Sequence, residues 1–493
     1  MESKYLDEFL IGDIAELSYG TMPKKTLLNT GDYPTFSGYK YQYKYPEVNC
    51  SKGDVIVVAR GVGGTGDVKL VKEDCYLTNL SIKFKLDNDV VNNKYFYYYY
   101  LLSSLRYLDS GSAQSQITIN DLKRVVISLP SLFTQDKVVN ILSTLDNKIE
   151  LNQKTNQTLE QMAQALFKSW FVDFDPVFDN LLASVDFKLE NLETSLPDEL
   201  KQKAQRRLAA LNSLENAAEI KTSLIALAHE LQALSQTKEA AKSAVQAAET
   251  PVKANLNGNP NILAQHANTH AHFPNEFEHN EQLGWIPKGW NASTAEDEFV
   301  VKGGSTPSTK NPDFWEGGDI HWTSPKDLSG NTTKIMLDTS RKVTSAGLKK
   351  ITSGLLPIDT VLMSSRAPVG YLALAKVPVA INQGYIAITD AKALSSEYTI
   401  QWLDSVMDEI KGISGGTTFA EISKKTFKSI QLVIPSKKVV EAYTEITKMY
   451  YERITACVQE INTLTETRDY LLPKLISGEL QIPDVSIDEE VVD

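Results

Sequence analysis

Cysteine is nearly absent: Cys50, Cys75 and Cys457 are the only three in 493 residues, far apart and without Cys-x-x-Cys spacing. An odd, scattered set excludes a disulfide framework or a zinc knuckle, so all three are read as reduced packing residues. Long apolar runs are missing too. Stretches such as Tyr95–Leu102 fall well short of the roughly 18 residues that a membrane span needs. The opening Met1-Glu2-Ser3-Lys4-Tyr5-Leu6-Asp7-Glu8 mixes charges and has no apolar core, so no secretory signal is expected and the chain is expected to be cytoplasmic. Gly61-Val62-Gly63-Gly64-Thr65-Gly66 is dense in glycine but lacks the Lys-Ser/Thr ending that holds a nucleotide phosphate. Asn311-Pro312-Asp313-Phe314 has Asp where the adenine-methyltransferase motif that holds a flipped base has a second proline, and no glycine-rich cofactor loop precedes it. His266, His270 and His272 have no cysteine or acid at ligand spacing and are expected to be loop residues, not a metal site. No catalytic centre and no bound cofactor are therefore expected.

What the chain has in excess is acid. Its formal net charge of −12 is the wrong sign for a protein that meets phosphate. The distribution of that charge points the other way. Residues 1–130 hold 15 Lys+Arg against 15 Asp+Glu and residues 285–435 hold 16 against 15, while the end from Glu479 carries six acids and no base. The acidic end, 481–493, reads as a solvated tail. Two near-neutral segments can bind nucleic acid locally, though weakly unless partner proteins add phosphate contacts.

A chain of this length exceeds one ordinary core, and an internal repeat shows how it is divided. At a constant offset of 305, Ser110-Gly111 aligns with Gly415-Gly416, Ile117 with Ile422, Leu122 with Phe427, and Leu129-Pro130-Ser131 with Ile434-Pro435-Ser436. With small gaps, Asp54–Arg60 resembles Asp359–Arg366 and Asn79 resembles Asn382. After each Leu/Ile-Pro-Ser the pattern becomes a long helix. In the second copy Tyr443, Ile446, Tyr450, Ile454, Cys457, Ile461, Leu464 and Leu471 form a seam of three- and four-residue steps, as in a coiled coil. The first copy places Val138, Ile141, Leu145, Ile149, Asn152, Asn156, Leu159 and Leu166 at the same positions. The two asparagines either fix register as buried polar residues or face solvent.

The expected first helix, Leu132–Trp170, has 39 residues and a length of about 58 Å. The second is expected to end or kink at Pro473. The expected fold class is α+β: two globular mixed α/β domains separated by a pair of long antiparallel coiled-coil helices, a pseudo-twofold duplication shaped like a dumbbell. Residues 200–250 hold 13 alanines and favour helix, and Pro251, Gly258 and Pro260 mark a linker. This stretch is expected to be a solvated helical excursion, with a docking surface for a partner as the weaker alternative.

Leu159-Glu160-Gln161-Met162-Ala163-Gln164-Ala165-Leu166-Phe167-Lys168-Ser169-Trp170-Phe171-Val172-Asp173-Phe174-Asp175-Pro176-Val177 and Leu283-Gly284-Trp285-Ile286-Pro287-Lys288-Gly289-Trp290 resemble hallmarks of type I restriction-modification specificity subunits. Gly303-Gly304-Ser305-Thr306-Pro307-Ser308-Thr309-Lys310-Asn311-Pro312-Asp313-Phe314-Trp315 is similar to the opening of a recognition domain in that family, and Gly20-Thr21-Met22-Pro23-Lys24-Lys25 is a degenerate version. The resemblance covers nearly everything except about residues 200–272. It implies target-recognition domains at 1–131 and 273–436, spacer helices at 132–179 and 437–480, and an insert with linker at 180–272. It also implies a non-catalytic subunit that reads a split site in double-stranded DNA. The implied partners are two methyltransferase subunits and two motor-nuclease subunits, which would bind the S-adenosylmethionine, ATP and magnesium.

Candidate DNA-binding residues follow from residue type and place. Arg60 and Arg366 end similar apolar strands; each is suited to bidentate contact with guanine, or equally to an ion pair within its own domain. Gly63, Gly64 and Lys69 surround a turn suited to the phosphate backbone. Gln114 and Gln116, and at the matching place Thr417 and Thr418, lie in polar loops. Ser305, Thr306, Ser308, Lys310, Lys326, Ser365 and Gln383 complete the set. Tyr97–Tyr100 are assigned to the core. Two rival functions are weaker. A fused restriction-methylation enzyme requires a cofactor domain or a carboxylate cluster, and neither is found. A scaffold without DNA binding predicts identical loops, whereas these differ.

Overall fold

The computed structural model describes residues 6–61, 64–109, 115–192, 196–241, 269–366, 368–415 and 420–482. They form two compact units, 1–151 with 460–493, and 152–459, so each long helix contributes to both.

In the first unit an antiparallel sheet runs in the spatial order Ala15–Tyr19, Ser81–Leu86, Val55–Val58, Val68–Leu70. Val55-Ile56-Val57-Val58 is apolar throughout because both faces of this strand are covered, and all four residues are buried. A smaller sheet sets Tyr33–Ser37 between antiparallel Lys40–Tyr45 and parallel Tyr76–Leu77. Helix Asn93–Leu102 is capped by Asn92, whose side chain accepts from the Lys94 and Tyr95 amides. It buries Tyr95, Phe96, Tyr98 and Tyr100 in the core, as expected of the tyrosine run.

The second unit repeats the plan. Its larger sheet orders Phe299–Lys302, Tyr385–Ala391, Val361–Ser364, Leu372–Ala375 and Ile335–Met336. Its smaller sheet again holds one antiparallel and one parallel partner, Arg341–Val343 and Ala380–Ile381, around Ile320–Thr323. The duplication read from the sequence is thus a duplication of topology: an α+β chain with two mixed recognition-type domains and long helices.

The long helices are Leu132–Phe167, 36 residues, and Lys437–Ile476, 40 residues. They pair antiparallel within each unit. In the first, Val138, Leu142, Leu472 and Leu475 share a core, Arg468 donates to Asp146 at 3.0 Å, and Lys148 meets Glu460 at 3.4 Å. In the second, Phe167, Trp170 and Phe171 pack edge-on against Tyr443 with ring centroids 5.0–6.0 Å apart. Glu160, its carboxyl pKa raised by burial, meets Lys334 at 3.5 Å and so ties the first helix to the second domain.

Two open alternatives are narrowed and one helix boundary is corrected. The helix passes through Pro473 without ending there: Leu472 and Leu475 on either side are buried, and that packing outweighs one lost backbone bond. Asn152 and Asn156 are both buried, which removes the solvent-facing alternative; the Asn156 amide has no hydrogen-bond partner among the described residues. The α-helix stops at Phe167 and gives way to a π-turn at Lys168–Val172, which aims Trp170 and Phe171 inward, before helix Asp175–Ala183 begins.

The insert is also no solvated excursion where it is described. Helices Asp198–Asn212 and Ala217–Ala241 pack on Asp175–Ala183, burying Leu200, Ala204, Leu211, Leu224 and Leu227. Arg207 forms a two-bond fork on Asp179, both bonds 2.7 Å, and reaches Asp175 at 3.3 Å. His270 completes the cluster at 3.0 Å from Asp179, so its ring is spent on a carboxylate. His266 and the proposed linker lie outside the described residues, as do most of the acidic tail and residues 110–111. No helix among the described residues is long and apolar enough to cross a membrane.

Candidate nucleic-acid interface

Both domains place an arginine where the central strand leaves the sheet, next to a loop that returns from the following helices. In the first, Ile117 N–H donates to Ala59 O at 2.9 Å and Arg60 forms an antiparallel bridge with Gln116. In the second, Ile422 N–H donates to Ser365 O at 3.0 Å and Arg366 bridges Glu421. Sequence distances of 56 and 55 residues are closed in the same way, so the returning ends of two loops, Gln116 and Glu421, stand beside two equivalent arginines. Each arginine is half-buried and forms no ion pair among the described residues, which removes the intradomain ion-pair alternative there. The Arg60 guanidinium lies 5.9 Å from the Tyr19 ring, and its Nε is buried without a hydrogen-bond partner among the described residues.

The glycine-rich turn follows Arg60 in the chain and folds back on the strand before it, Gly66 N–H donating to Val58 O at 2.9 Å. Gly66 packs so tightly that a Cβ there would lie 2.3 Å from the Arg106 backbone nitrogen, and its φ of +91° also favours glycine. Gly64 is described, with φ +106°. Gly63 and Gln114 lie outside the described residues, as do Thr417 and Thr418. Lys69 stands on the adjoining strand, 3.4 Å from Asp67, with both side chains substantially exposed.

In the second domain the opening loop is held by its own contacts. Ser305 Oγ donates to Lys350 O at 3.0 Å and accepts from Thr352 N–H at 3.1 Å. Thr306 Oγ1 donates to Gln383 Oε1 at 2.8 Å, so these two candidates, both exposed, are brought together. Ser308, itself exposed, accepts the Trp315 indole N–H through its carbonyl at 3.0 Å. Lys310 and Lys326 are exposed. Lys326 rides on a short turn capped by Asp327. Burial would raise that carboxyl's pKa, but the Ser340 and Ser324 hydrogen bonds outweigh it and hold it below its ordinary value. Ser365 is buried and contributes through its backbone, its N–H donating to Gly384 O at 2.8 Å.

Sequence reasoning missed two features. Tyr39, Lys40, Tyr43 and Lys44 stand exposed on the Tyr33–Ser37/Lys40–Tyr45 hairpin, with Tyr39 against Gly64. The alternation Tyr39-Lys40-Tyr41-Gln42-Tyr43-Lys44-Tyr45 is the signal that would have found them: aromatic faces for bases, interleaved with cations for phosphate. On the matching strand of the second domain exposed Arg341 stacks on Trp315 at 3.5 Å and lies 5.5 Å from Trp322. No periodicity announced that stack, because its parts are separated in sequence.

Duplicated mixed α/β domains, each with an arginine beside a returning loop at the end of a buried strand, define a chain of two equivalent modules. The family model "Type I restriction modification DNA specificity domain" matches residues 4–161 and 287–466, and the chain belongs to that family. It is similar to the type I restriction enzyme HindI specificity subunit of Haemophilus influenzae, at 27% identity over 96% of this chain and 99% of the relative. It is also similar to the MjaIX specificity subunit of Methanocaldococcus jannaschii, at 38% identity over 33% of this chain and 37% of the relative. Its fold resembles that of the crystallised type I restriction-modification S subunit from M. genitalium, with a TM-score of 0.55 and 16% identity over 99% and 98% of the two chains. The chain is a specificity subunit of a type I restriction-modification system, a DNA-recognition subunit without catalysis of its own.

The family hallmarks now have a physical meaning. Phe171 and Phe174 of the first segment pack on Trp290 of the second, with ring centroids 6.0 and 5.8 Å apart, so together they form an aromatic joint between helix and domain.

Proposed function

We propose that domain 1–131 reads one half of a bipartite DNA site and domain 273–436 the other, with helices 132–179 and 437–480 setting the gap and docking the methyltransferase subunits. The observation that carries this reading is the repeated arginine–loop bridge, Arg60 with Gln116 and Arg366 with Glu421. The framework is shared and the loops differ, as two readers of different sequences require. Arg60 and Arg366 read base edges; Gly63, Gly64, Lys69, Lys310, Lys326, Lys40 and Lys44 serve the phosphates. Gln114, Gln116, Ser305, Thr306, Ser308, Gln383, Thr417 and Thr418 line the reading loops, with Ser365 supporting them. The complex has two methyltransferase and two motor-nuclease subunits, and works in the cytoplasm. Those partners hold S-adenosylmethionine, ATP and magnesium.

A domain exchange tests the reading. Replacing residues 285–435 with the matching segment of a relative is expected to change one half of the methylated site and leave the other intact, as mapped by sequencing modified adenines. A change in both halves would refute modular reading.

The spacing role is tested separately. Four residues inserted between Ile149 and Leu159 add about 6 Å of rise and roughly one turn, so the seam is nearly kept. The gap in the target is expected to lengthen by one to two base pairs, taking about 3.4 Å per step, with both half-sites unchanged. An unchanged gap with full activity would place the ruler in the partner subunits.

A further inference from the structure

The duplication sets a cysteine pair in the first unit against an apolar pair at the equivalent place in the second. Cys50 and Cys75 lie opposite each other in an antiparallel bridge: Cys50 N–H donates to Cys75 O at 3.1 Å, and Cys75 N–H to Cys50 O at 2.9 Å. Such a hydrogen-bonded pair holds its Cα atoms about 5.5 Å apart. Disulfides most often span about 5.5–6 Å between Cα atoms, so the Cα spacing admits a bond; side chains of a hydrogen-bonded pair stand wider than a disulfide's Cβ atoms, so closing it takes a local shift of the two strands. The two thiols interact, which together with burial pushes the Cys50 pKa up and draws that of Cys75 down against the effect of burial. Both sit in a small core with Phe36, Ile56, Val71 and Leu77.

In the second unit Leu356 N–H donates to Val379 O at 2.9 Å and Val379 N–H to Leu356 O at 3.1 Å, and both side chains are buried. The same bridge is therefore built there without sulfur, and packing alone does not explain two cysteines at the equivalent place. Treating all three cysteines as plain packing residues leaves this juxtaposition out, because 25 residues separate the two thiols in sequence.

We propose that Cys50 and Cys75 form a redox site, which hydroperoxides convert to a reversible cross-strand disulfide in the first recognition domain alone. The Cys75 thiolate attacks one peroxide oxygen, the O–O bond breaks, and the departing hydroxide takes up the thiol proton to leave as water. Cys75 is then a sulfenic acid. The Cys50 sulfur attacks the sulfenic sulfur, the S–O bond breaks, and the released hydroxide and the Cys50 proton make the second water. Two thiols lose two electrons and two protons, and one hydrogen peroxide is reduced to two waters. Burial makes the reaction slow, because peroxide enters only during local opening. The bond lies in the small core on which Tyr41 packs, and Tyr41 belongs to the strand that presents Lys40, Tyr43 and Lys44. Its effect on recognition, which rests on the function proposed above, is confined to the first half-site.

The test uses the full chain and hydrogen peroxide. After exposure, denaturation and alkylation, Cys457 is expected to be labelled while Cys50 and Cys75 are protected. Their tryptic peptides should be joined and lighter by two hydrogens, and a dithiol reductant should restore labelling at both. The variant Cys50→Leu/Cys75→Val, which copies the second unit, should fold and form no joined peptide. Equal labelling of all three cysteines, or oxidation beyond sulfenic acid with no joined peptide, would overturn the assignment. In the assembled complex the oxidised chain should lose discrimination at the first half-site only, and the double variant should be insensitive. Loss at both half-sites or at neither would overturn the effect on recognition, while the peptide mass still decides the bond. A reduced complex that discriminates neither half-site would instead refute the functional reading.

Discussion

Asp179→Asn is expected to destabilise the 152–459 unit by about 3 kcal/mol, the low end of what breaking a buried charge pair costs. Asp179 is 1% exposed and accepts the Arg207 fork and the His270 ring, while Arg207 keeps some solvent and a second partner in Asp175. The amide keeps the shape but not the charge, and it leaves a cation above helix Asp175–Ala183 with a weaker acceptor. The midpoint of urea unfolding, followed by tryptophan fluorescence, checks this, with Asp198→Asn as an exposed control. A shift within about 0.5 kcal/mol, the range of ordinary surface substitutions, would mean that the insert docks through its leucines alone.

The same cluster has a pH signature. Burial would raise the Asp179 pKa, but the hydrogen bonds from Arg207 and His270 outweigh burial and hold it below the ordinary carboxylate range. Its stabilisation is therefore present above the unfolded value, about 3.9, and is lost as pH falls from there through the lower folded value. The Asp179→Asn variant should lack this part of the acid destabilisation, and its stability curve should approach that of the wild type at low pH.

Arg60→Ala is expected to weaken discrimination about 5- to 150-fold at one base pair of the first half-site, the 1–3 kcal/mol of a bidentate contact, and to leave the second half-site unchanged. Arg366→Ala should do the reverse. Each arginine is held through its backbone, Arg60 by a 3.1 Å bond to Leu80 O and Arg366 by its bridge with Glu421, so truncating the side chain leaves the loop anchored. Lysine is not expected to restore either function, because a point charge cannot form the planar fork. Binding selection from a pool randomised in both half-sites measures the effect. Weakening that is uniform across sequences, with a smaller salt dependence, would assign these arginines to phosphate instead.

The sequence by itself determined the duplication, the class of each half and the existence of the long helices. Repeats at a constant offset and a seam of three- and four-residue steps are local signals, set by side-chain periodicity, and they survive without knowledge of the fold. It also placed Arg60 and Arg366 at equivalent strand ends, because an apolar run followed by arginine is legible in one dimension. Tertiary packing decided the rest. Pro473 stays inside its helix because Leu472 and Leu475 are buried on either side of it, and no local rule carries that information. The alanine-rich insert packs because Arg207 meets Asp179, 28 residues away, and the core supplies a partner that composition cannot show. Asn152 and Asn156 face inward, although polarity alone allowed either face. Stacks such as Arg341 on Trp315, and the Cys50–Cys75 pair, join residues 26 and 25 positions apart in sequence. Such contacts arise from strand pairing and loop return, which close long stretches of chain, so they became visible only in three dimensions.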